Sequence, residues 1–127
     1  MKLLGIDFGK KRIGLAVARS EDGIAFPLEV VQNGLLAAEV IAQICQREEV
    51  ESIVMGESRD LDGSHNPIHE ETAQFAEELE HHTGMHVHYE NEVYSTQQAA
   101  REQGKGKQID ASAAAIILQA YLDRNGV

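Results

Sequence analysis

Two short apolar segments separated by a glycine and three basic residues open the chain and predict a β-hairpin. The apolar positions of the two segments are Leu3, Leu4, Ile6, Ile13, Leu15 and Val17. A third apolar segment, 24–31, predicts a third strand. Pro27 within this segment indicates an edge position or a bulge, because proline has no N–H to donate to a neighbouring strand.

The middle of the chain alternates between helical and strand-like patterns. A first helix is predicted to end near Glu49, and the apolar positions that mark it are Leu36, Val40, Ile41 and Ile44. A short apolar strand follows at 52–56. Asn66 as N-cap and Pro67 as first helical residue predict the start of a second helix, which Gly84 ends. The alternating segment 85–89 predicts a further strand.

The last third of the chain is predicted to be helical. The segment 95–98 resembles a capping box that opens a short helix ending at Gly104. Asp110 is predicted to cap a final helix, with an inner face formed by Ile109, Ala113, Ile116, Ile117, Ala120 and Tyr121. The resulting order, β-β-β-α-β-α-β-α-α, predicts an α/β fold with a mixed five-stranded sheet. Three strands are antiparallel, the others are parallel, and helices cover both faces. With no linker or repeat, residues 1–127 are expected to form a single domain.

Composition narrows the class of protein. Apolar residues make up 43% of the 127 residues, which is typical of a globular chain. No apolar run approaches the roughly 20 residues that span a bilayer, so no membrane partner is expected. The one cysteine, Cys45, cannot form an internal disulfide and suits a reducing cytoplasm.

Charge is distributed unevenly along the chain. The net charge of −10 opposes a nucleic-acid partner, since phosphate binding favours a basic surface. Six of the 11 basic residues nevertheless fall in two clusters: Lys10, Lys11 and Arg12, then Arg101, Lys105 and Lys107. The charge therefore weakens the hypothesis of nucleic-acid binding without removing it.

Three acidic residues lie where the predicted strands end or the last helix begins. Asp7 belongs to the first strand, Glu92 follows the fifth, and Asp110 precedes the final helix. Because ligand sites gather at the carboxyl ends of parallel strands, these side chains can meet at one edge of the sheet. Three carboxylates with open positions suit Mg²⁺ or Mn²⁺, and the expected chemistry is metal-assisted phosphodiester hydrolysis.

Each of the three acids also has a structural explanation that needs no function. Asp7 can form an Asx turn ahead of Gly9, Glu92 can lie exposed in an acidic stretch, and Asp110 can serve only as an N-cap. From spacing alone, the catalytic and structural interpretations remain balanced.

Motifs along the chain add a resemblance. The segment 5–18 contains Gly5-Ile6-Asp7-Phe8-Gly9 and Lys11-Arg12-Ile13-Gly14, and the segment 92–96 combines Glu92 with Ser95-Thr96. Together with 53–56, 61–64, 75–79 and the helical segment 109–122, these motifs resemble the YqgF/RuvX family. That family comprises RNase H-like proteins described as Holliday junction resolvases and as pre-16S rRNA processing nucleases. The resemblance covers essentially the whole chain.

The resemblance implies an RNase H-like fold with Asp7, Glu92 and Asp110 as the metal-binding catalytic acids. It also implies backbone-phosphate contacts from Lys10, Lys11, Arg12, Arg101, Lys105 and Lys107. The expected function is that of a cytoplasmic nuclease, dependent on Mg²⁺ or Mn²⁺, that cuts a structured RNA precursor or branched DNA. It would act as a monomer or a homodimer.

Departures from the family pattern keep other hypotheses open. Asn91 stands for the usual Asp before Glu92, Val93 stands for the Arg after it, and Glu57 follows Gly56 where the family has Leu. These changes favour a nucleic-acid- or ribosome-associated module that keeps the fold without cleaving. The Asp7-x-Gly9 spacing also resembles the phosphate-binding turn of actin-like ATPases, which would require two copies of this chain.

Overall fold

A computed structural model of the chain describes residues 1–57, 67–91 and 107–125. Its strands are β1 (Lys2–Phe8), β2 (Arg12–Arg19), β3 (Ile24–Gln32), β4 (Ser52–Glu57) and β5 (Val87–Asn91). Its helices are α1 (Ala37–Glu48), α2 (Pro67–Thr83) and α3 (Lys107–Asn125). The five strands form a sheet in the order β3-β2-β1-β4-β5. The short helix predicted to end at Gly104 lies outside the described residues.

The first three strands form the antiparallel half of the sheet. β1 pairs with β2 so that Asp7 lies opposite Gly14. β3 pairs with β2 and forms one edge of the sheet. The register of this pair shifts between Leu15 and Ala16, which face Glu29 and Pro27. The edge position and bulge predicted for Pro27 are therefore both confirmed.

The other half of the sheet is parallel. β1 pairs with β4, and β4 with β5, so that Leu4, Ile53 and Val87 lie side by side. The carboxyl ends of β1, β4 and β5 consequently lie side by side at the same end of the strands, as the pattern of strands and helices predicts.

Helices α1 and α2 cover one face and form the larger core with it. This core includes Leu4, Ile6, Ile13, Leu15, Ile41, Ile44, Ile53, Met55, Phe75 and Leu79. Of the apolar residues that predicted this helix, Ile41 and Ile44 are buried, whereas Leu36 and Val40 are 65% and 37% exposed. The small Ala37 and Ala38 are buried instead and let α1 approach the sheet. Burial raises the pKa of the Cys45 thiol to about 11, so this cysteine remains protonated at neutral pH.

Helix α3 covers the opposite face. Its buried residues Ala114, Ile117, Leu118 and Leu122 form a second core with Leu3, Ala16, Ala18 and Val54. Ile116, predicted on the inner face, is 44% exposed. Among the described helices, none combines the length and apolar character needed to cross a bilayer.

A glycine in β1 sets how closely α3 approaches the sheet. A Cβ atom on Gly5 would lie 2.7 Å from the Leu118 Cβ and 3.0 Å from the Ala114 carbonyl oxygen. Since real Cβ atoms keep a greater distance from such neighbours, only glycine allows the helix to lie this close. Gly5 is therefore the position at which α3 packs directly against the backbone of β1.

Candidate active site

Asp7 lies in β1 and points to the face of the sheet that α3 covers. Its neighbours Ile6 and Phe8 pack into the core under α1 and α2, whereas Leu3 and Gly5 face α3. Because successive side chains in a strand point to opposite faces, Asp7 belongs with Leu3 and Gly5. Its side chain is only 3% exposed. A carboxylate is thus held in the sheet beneath a helix, as the first motif predicts.

Glycines flank Asp7 on both neighbouring strands. Gly14 is its partner in β2. On the other side Ile6 pairs with Met55, so Gly56 is the residue next to Asp7 in β4. Gly14 and Gly56 are both buried, and since neither has a side chain, neither neighbouring strand places a side chain beside the carboxylate.

Helix α3 runs antiparallel to β1 and directs its first turn toward Asp7. The Gln119 side chain bonds to Ala25, which is level with Ala18 and Leu3 at the start of β1. Ala114 and Leu118 lie over Gly5, one step further along β1. Toward its N-terminus, α3 therefore passes from the level of Leu3 over Gly5 to the end of β1 that contains Asp7.

Asp110 belongs to the first turn of α3. The prediction that it is the N-cap is wrong, because the helix already begins at Lys107. Capping preferences marked Asp110 as the boundary, but the helix extends one turn further toward its N-terminus. The side chain of Asp110 lies outside the described part of the structure, as does that of Lys107.

Glu92, the third predicted acid, follows directly after the last residue of β5 and lies outside the described residues. β5 is parallel to β1 and separated from it only by β4. Its carboxyl end therefore approaches the edge of the sheet where Asp7 lies. Within residues 1–57, 67–91 and 107–125, no group of three Asp, Glu, His or Cys side chains is arranged to hold a metal ion. The predicted trio includes two side chains beyond that description.

Glu90 is a buried acid that the sequence interpretation missed. Gly56 pairs with Glu90, so the row across the sheet runs Gly14, Asp7, Gly56, Glu90. The Glu90 side chain is 3% exposed, and its Oε2 lies 3.2 Å from the Nη1 of Arg124 near the end of α3. The alternation of Val87, a core residue, with its neighbours could have indicated that Glu90 faces α3.

Removing Arg124 should cost more than removing the charge of Glu90. In an Arg124→Ala variant the buried carboxylate loses its ion-pair partner, and we expect a loss of about 1–3 kcal/mol in the free energy of unfolding. In Glu90→Gln the guanidinium, whose side chain is 62% exposed, is left to water at a smaller cost. Urea denaturation of both variants measures the difference. A double variant should recover part of the Arg124→Ala loss, and equal stability of Arg124→Ala and the unmodified protein would contradict the prediction.

The basic turn, residues Lys10, Lys11 and Arg12, is exposed beside the carboxyl end of β1. Two hydrogen bonds from Asn33 fix its shape: the Asn33 Nδ2 donates to the Gly9 carbonyl oxygen at 2.8 Å, and the Asn33 backbone N–H donates to that of Lys11 at 2.9 Å. The basic turn is therefore held next to Asp7. Arg101 and Lys105, the other predicted contacts, lie outside the described residues.

Solved structures of other proteins share the fold of this chain over nearly its whole length. RuvC from Thermus thermophilus superposes with a TM-score of 0.64 at 18% identity, covering 99% of this chain and 97% of that one. The fowlpox virus resolvase, solved with Holliday junction DNA, gives a TM-score of 0.62 at 9% identity over 98% of both chains. At these identities the likeness establishes the fold, which is RNase H-like as expected.

The family follows from more similar sequences. The family model described as "RuvX: Holliday junction resolvase" matches residues 1–124, and the chain belongs to this family. A relative from Anaeromyxobacter sp. is 40% identical over 134 residues, covering 97% of each chain. One from Bordetella pertussis is 37% identical over 123 residues, covering 95% of this chain and 92% of that protein. Both relatives carry the name "Putative pre-16S rRNA nuclease".

Proposed function

We propose that the protein is a metal-dependent nuclease that hydrolyses phosphodiester bonds in structured nucleic acid. The observation that carries this proposal is the buried carboxylate of Asp7, which lies between two glycines and beneath a helix whose first turn contains Asp110. Membership of the RuvX family supports the same activity. The proposed substrates are the 5′ region of a pre-16S rRNA and a Holliday junction, and the proposed setting is the cytoplasm.

The donor set fits Mg²⁺ or Mn²⁺. Asp7, Glu92 and Asp110 offer hard carboxylate oxygens, the ligand type that these ions prefer. When bound, such ions activate a water molecule and stabilise the charge that develops on the leaving oxygen. Asp7 would hold the ion from within the sheet, where its burial between Gly14 and Gly56 would limit the motion of the carboxylate.

Substrate binding is assigned to the basic turn and to Arg101, Lys105 and Lys107. Contacts from lysine and arginine to phosphates position a nucleic acid without reading its sequence. Because the protein carries a net charge of −10, these residues must act locally, against the field of the rest of the surface. Cutting two opposed strands of a junction would require a homodimer, whereas trimming an RNA end would need one copy.

The test is cleavage of labelled structured RNA and four-way DNA junctions in Mg²⁺, Mn²⁺ or excess EDTA. Cleavage in either metal that stops in EDTA supports the proposal. Binding of both substrates without cleavage would favour instead the non-catalytic module that Val93 and Glu57 suggest. The substrate cut at the lower enzyme concentration decides between RNA and DNA.

Removing the charges of the basic turn should weaken binding in a salt-dependent manner. In a Lys10→Ala/Lys11→Ala variant we expect lower affinity for both substrates and a slope of log affinity against log salt that is shallower by about 1.5–2, because two phosphate contacts are lost. Arg19→Ala is the matched control, since Arg19 is exposed at the opposite end of β2. A fall in slope for Arg19→Ala that is half that of the double variant, in proportion to the charge removed, would show that binding depends on overall charge and not on the basic turn.

A further inference from the structure

We propose that Gln119 is a positioning residue that sets the orientation of α3, and thereby the position of Asp110 relative to Asp7. This inference rests on the proposed function, because it assumes that Asp110 is a metal ligand. It assigns a role to a polar side chain that neither holds the metal nor contacts the substrate.

The Gln119 side chain makes two bonds to the backbone at the start of the edge strand β3. Its Oε1 accepts from the Ala25 N–H at 2.9 Å, and its Nε2 donates to the Gly23 carbonyl oxygen at 2.9 Å. The same Nε2 lies 3.1 Å from the Asp123 Oδ1 within α3. A primary amide is the side chain that provides a donor and an acceptor at this spacing. The side chain therefore pairs with β3 much as a short piece of strand would.

These bonds complement the apolar contacts of α3. Leu118 and Leu122 pack the helix against the sheet. Gly5 sets how closely the helix approaches β1 at Ala114 and Leu118. Apolar packing tolerates small rotations and tilts, because it is not directional. Hydrogen bonds to a fixed backbone are directional, so Gln119 is placed to select one orientation among those that the packing allows.

A small tilt of α3 would displace Asp110 in its first turn. Asp110 lies nine positions before Gln119, about 13 Å along the helix at a rise of about 1.5 Å per residue. With the contact at Gly5 as pivot, a tilt of about 10° would move the first turn by about 1.5 Å. A misplacement of about 1 Å at a catalytic group can cost about 100-fold in rate. A pair of bonds that fixes the orientation of α3 would therefore also fix the position of Asp110.

The experiment compares Gln119→Ala, Gln119→Glu and Asn125→Ala. Gln119→Glu keeps the length of the side chain and the acceptor for Ala25, but it loses the donor to Gly23. Asn125→Ala is the matched control, because it removes an amide from the same helix that, among the described residues, donates within the helix to the Tyr121 carbonyl oxygen. Circular dichroism first establishes that each variant is folded, which the apolar core of α3 should ensure.

Two readouts follow: Mn²⁺ affinity by calorimetry without substrate, and kcat for cleavage. We expect both Gln119 variants to bind Mn²⁺ about tenfold more weakly and to cleave about 10- to 100-fold more slowly, as for residues that orient metal ligands. A Gln119→Glu variant that behaves like the unmodified protein, although its carboxylate faces the Gly23 carbonyl oxygen and Asp123, would contradict a need for the bond to Gly23. If Gln119→Ala stays within twofold of Asn125→Ala in both readouts, the proposal is overturned.

A third readout separates this proposal from the proposed function. If the unmodified protein neither binds Mn²⁺ nor cleaves, the nuclease proposal fails. The amide NMR signals of Ala25, Ala111 and Ala114 then decide the role of Gln119 alone. A change at Ala111 and Ala114 in Gln119→Ala, together with loss of exchange protection at Ala25, supports an orienting role. A change confined to Ala25 overturns it.

Discussion

An Asp7→Asn variant should lose metal-dependent cleavage while remaining folded. A metal ion contributes several kcal/mol to the stabilisation of the transition state, and each 1.36 kcal/mol corresponds to a factor of ten in rate. We therefore expect kcat to fall by about 10³-fold or more. Asparagine has nearly the same shape as aspartate, so the packing of β1 beneath α3 is preserved and the loss is one of charge and metal ligation.

The measurement should include metal binding as well as rate. A ligand that binds only the folded state raises the free energy of unfolding, so Mn²⁺ should raise the Tm of the unmodified protein and raise that of Asp7→Asn less. Asp22→Asn is the matched control, because Asp22 is an exposed residue between β2 and β3. Residual cleavage equal in Asp7→Asn and the unmodified protein would indicate contamination or a site elsewhere, and would refute the role of Asp7.

Much of the sheet was predictable because its signals are local. The hairpin follows from two apolar segments around a glycine-containing turn, and the edge position of β3 follows from the missing N–H of Pro27. The burial of Asp7 follows from its place within an apolar strand. Each of these inferences uses neighbours a few positions apart.

The errors arose where the outcome depends on packing between distant segments. Of the four apolar positions that predicted α1, Ile41 and Ile44 are buried on one face together with Ala37 and Ala38, whereas Leu36 and Val40 lie outside that face. Helical periodicity defines several possible faces, and only the partner surface decides which is buried.

Glu90 shows the same dependence in the candidate site. Its burial requires the register of β4 with β5 and the arrival of Arg124 from α3, 34 positions along the chain. Neither is visible in the acidic stretch that contains it. The row from Gly14 to Glu90 across the sheet is likewise a product of strand order, which brings residues of four segments to one level.

Substitution of Gly5 by alanine should affect both stability and activity, because this glycine sets the depth of α3. The added methyl group would meet the Leu118 Cβ at 2.7 Å and the Ala114 carbonyl oxygen at 3.0 Å. The first belongs to the base of a side chain and the second to the backbone, so neither can rotate away. We expect a loss of about 1–3 kcal/mol in the free energy of unfolding, as for other overpacked cores. For a chain of this size that loss lowers the Tm by roughly 4–12 °C.

The effect on cleavage should exceed the effect on folding. If α3 is lifted from β1, its first turn with Asp110 moves away from Asp7, and a shift of about 1 Å can cost about 100-fold in rate. The rate should therefore be measured well below the Tm of Gly5→Ala, where nearly all molecules are folded. Gly34→Ala is the control, since a Cβ there would meet no atom within 4 Å. A Gly5→Ala protein that is destabilised but cleaves at the normal rate would show that the depth of α3 does not determine the geometry of the site.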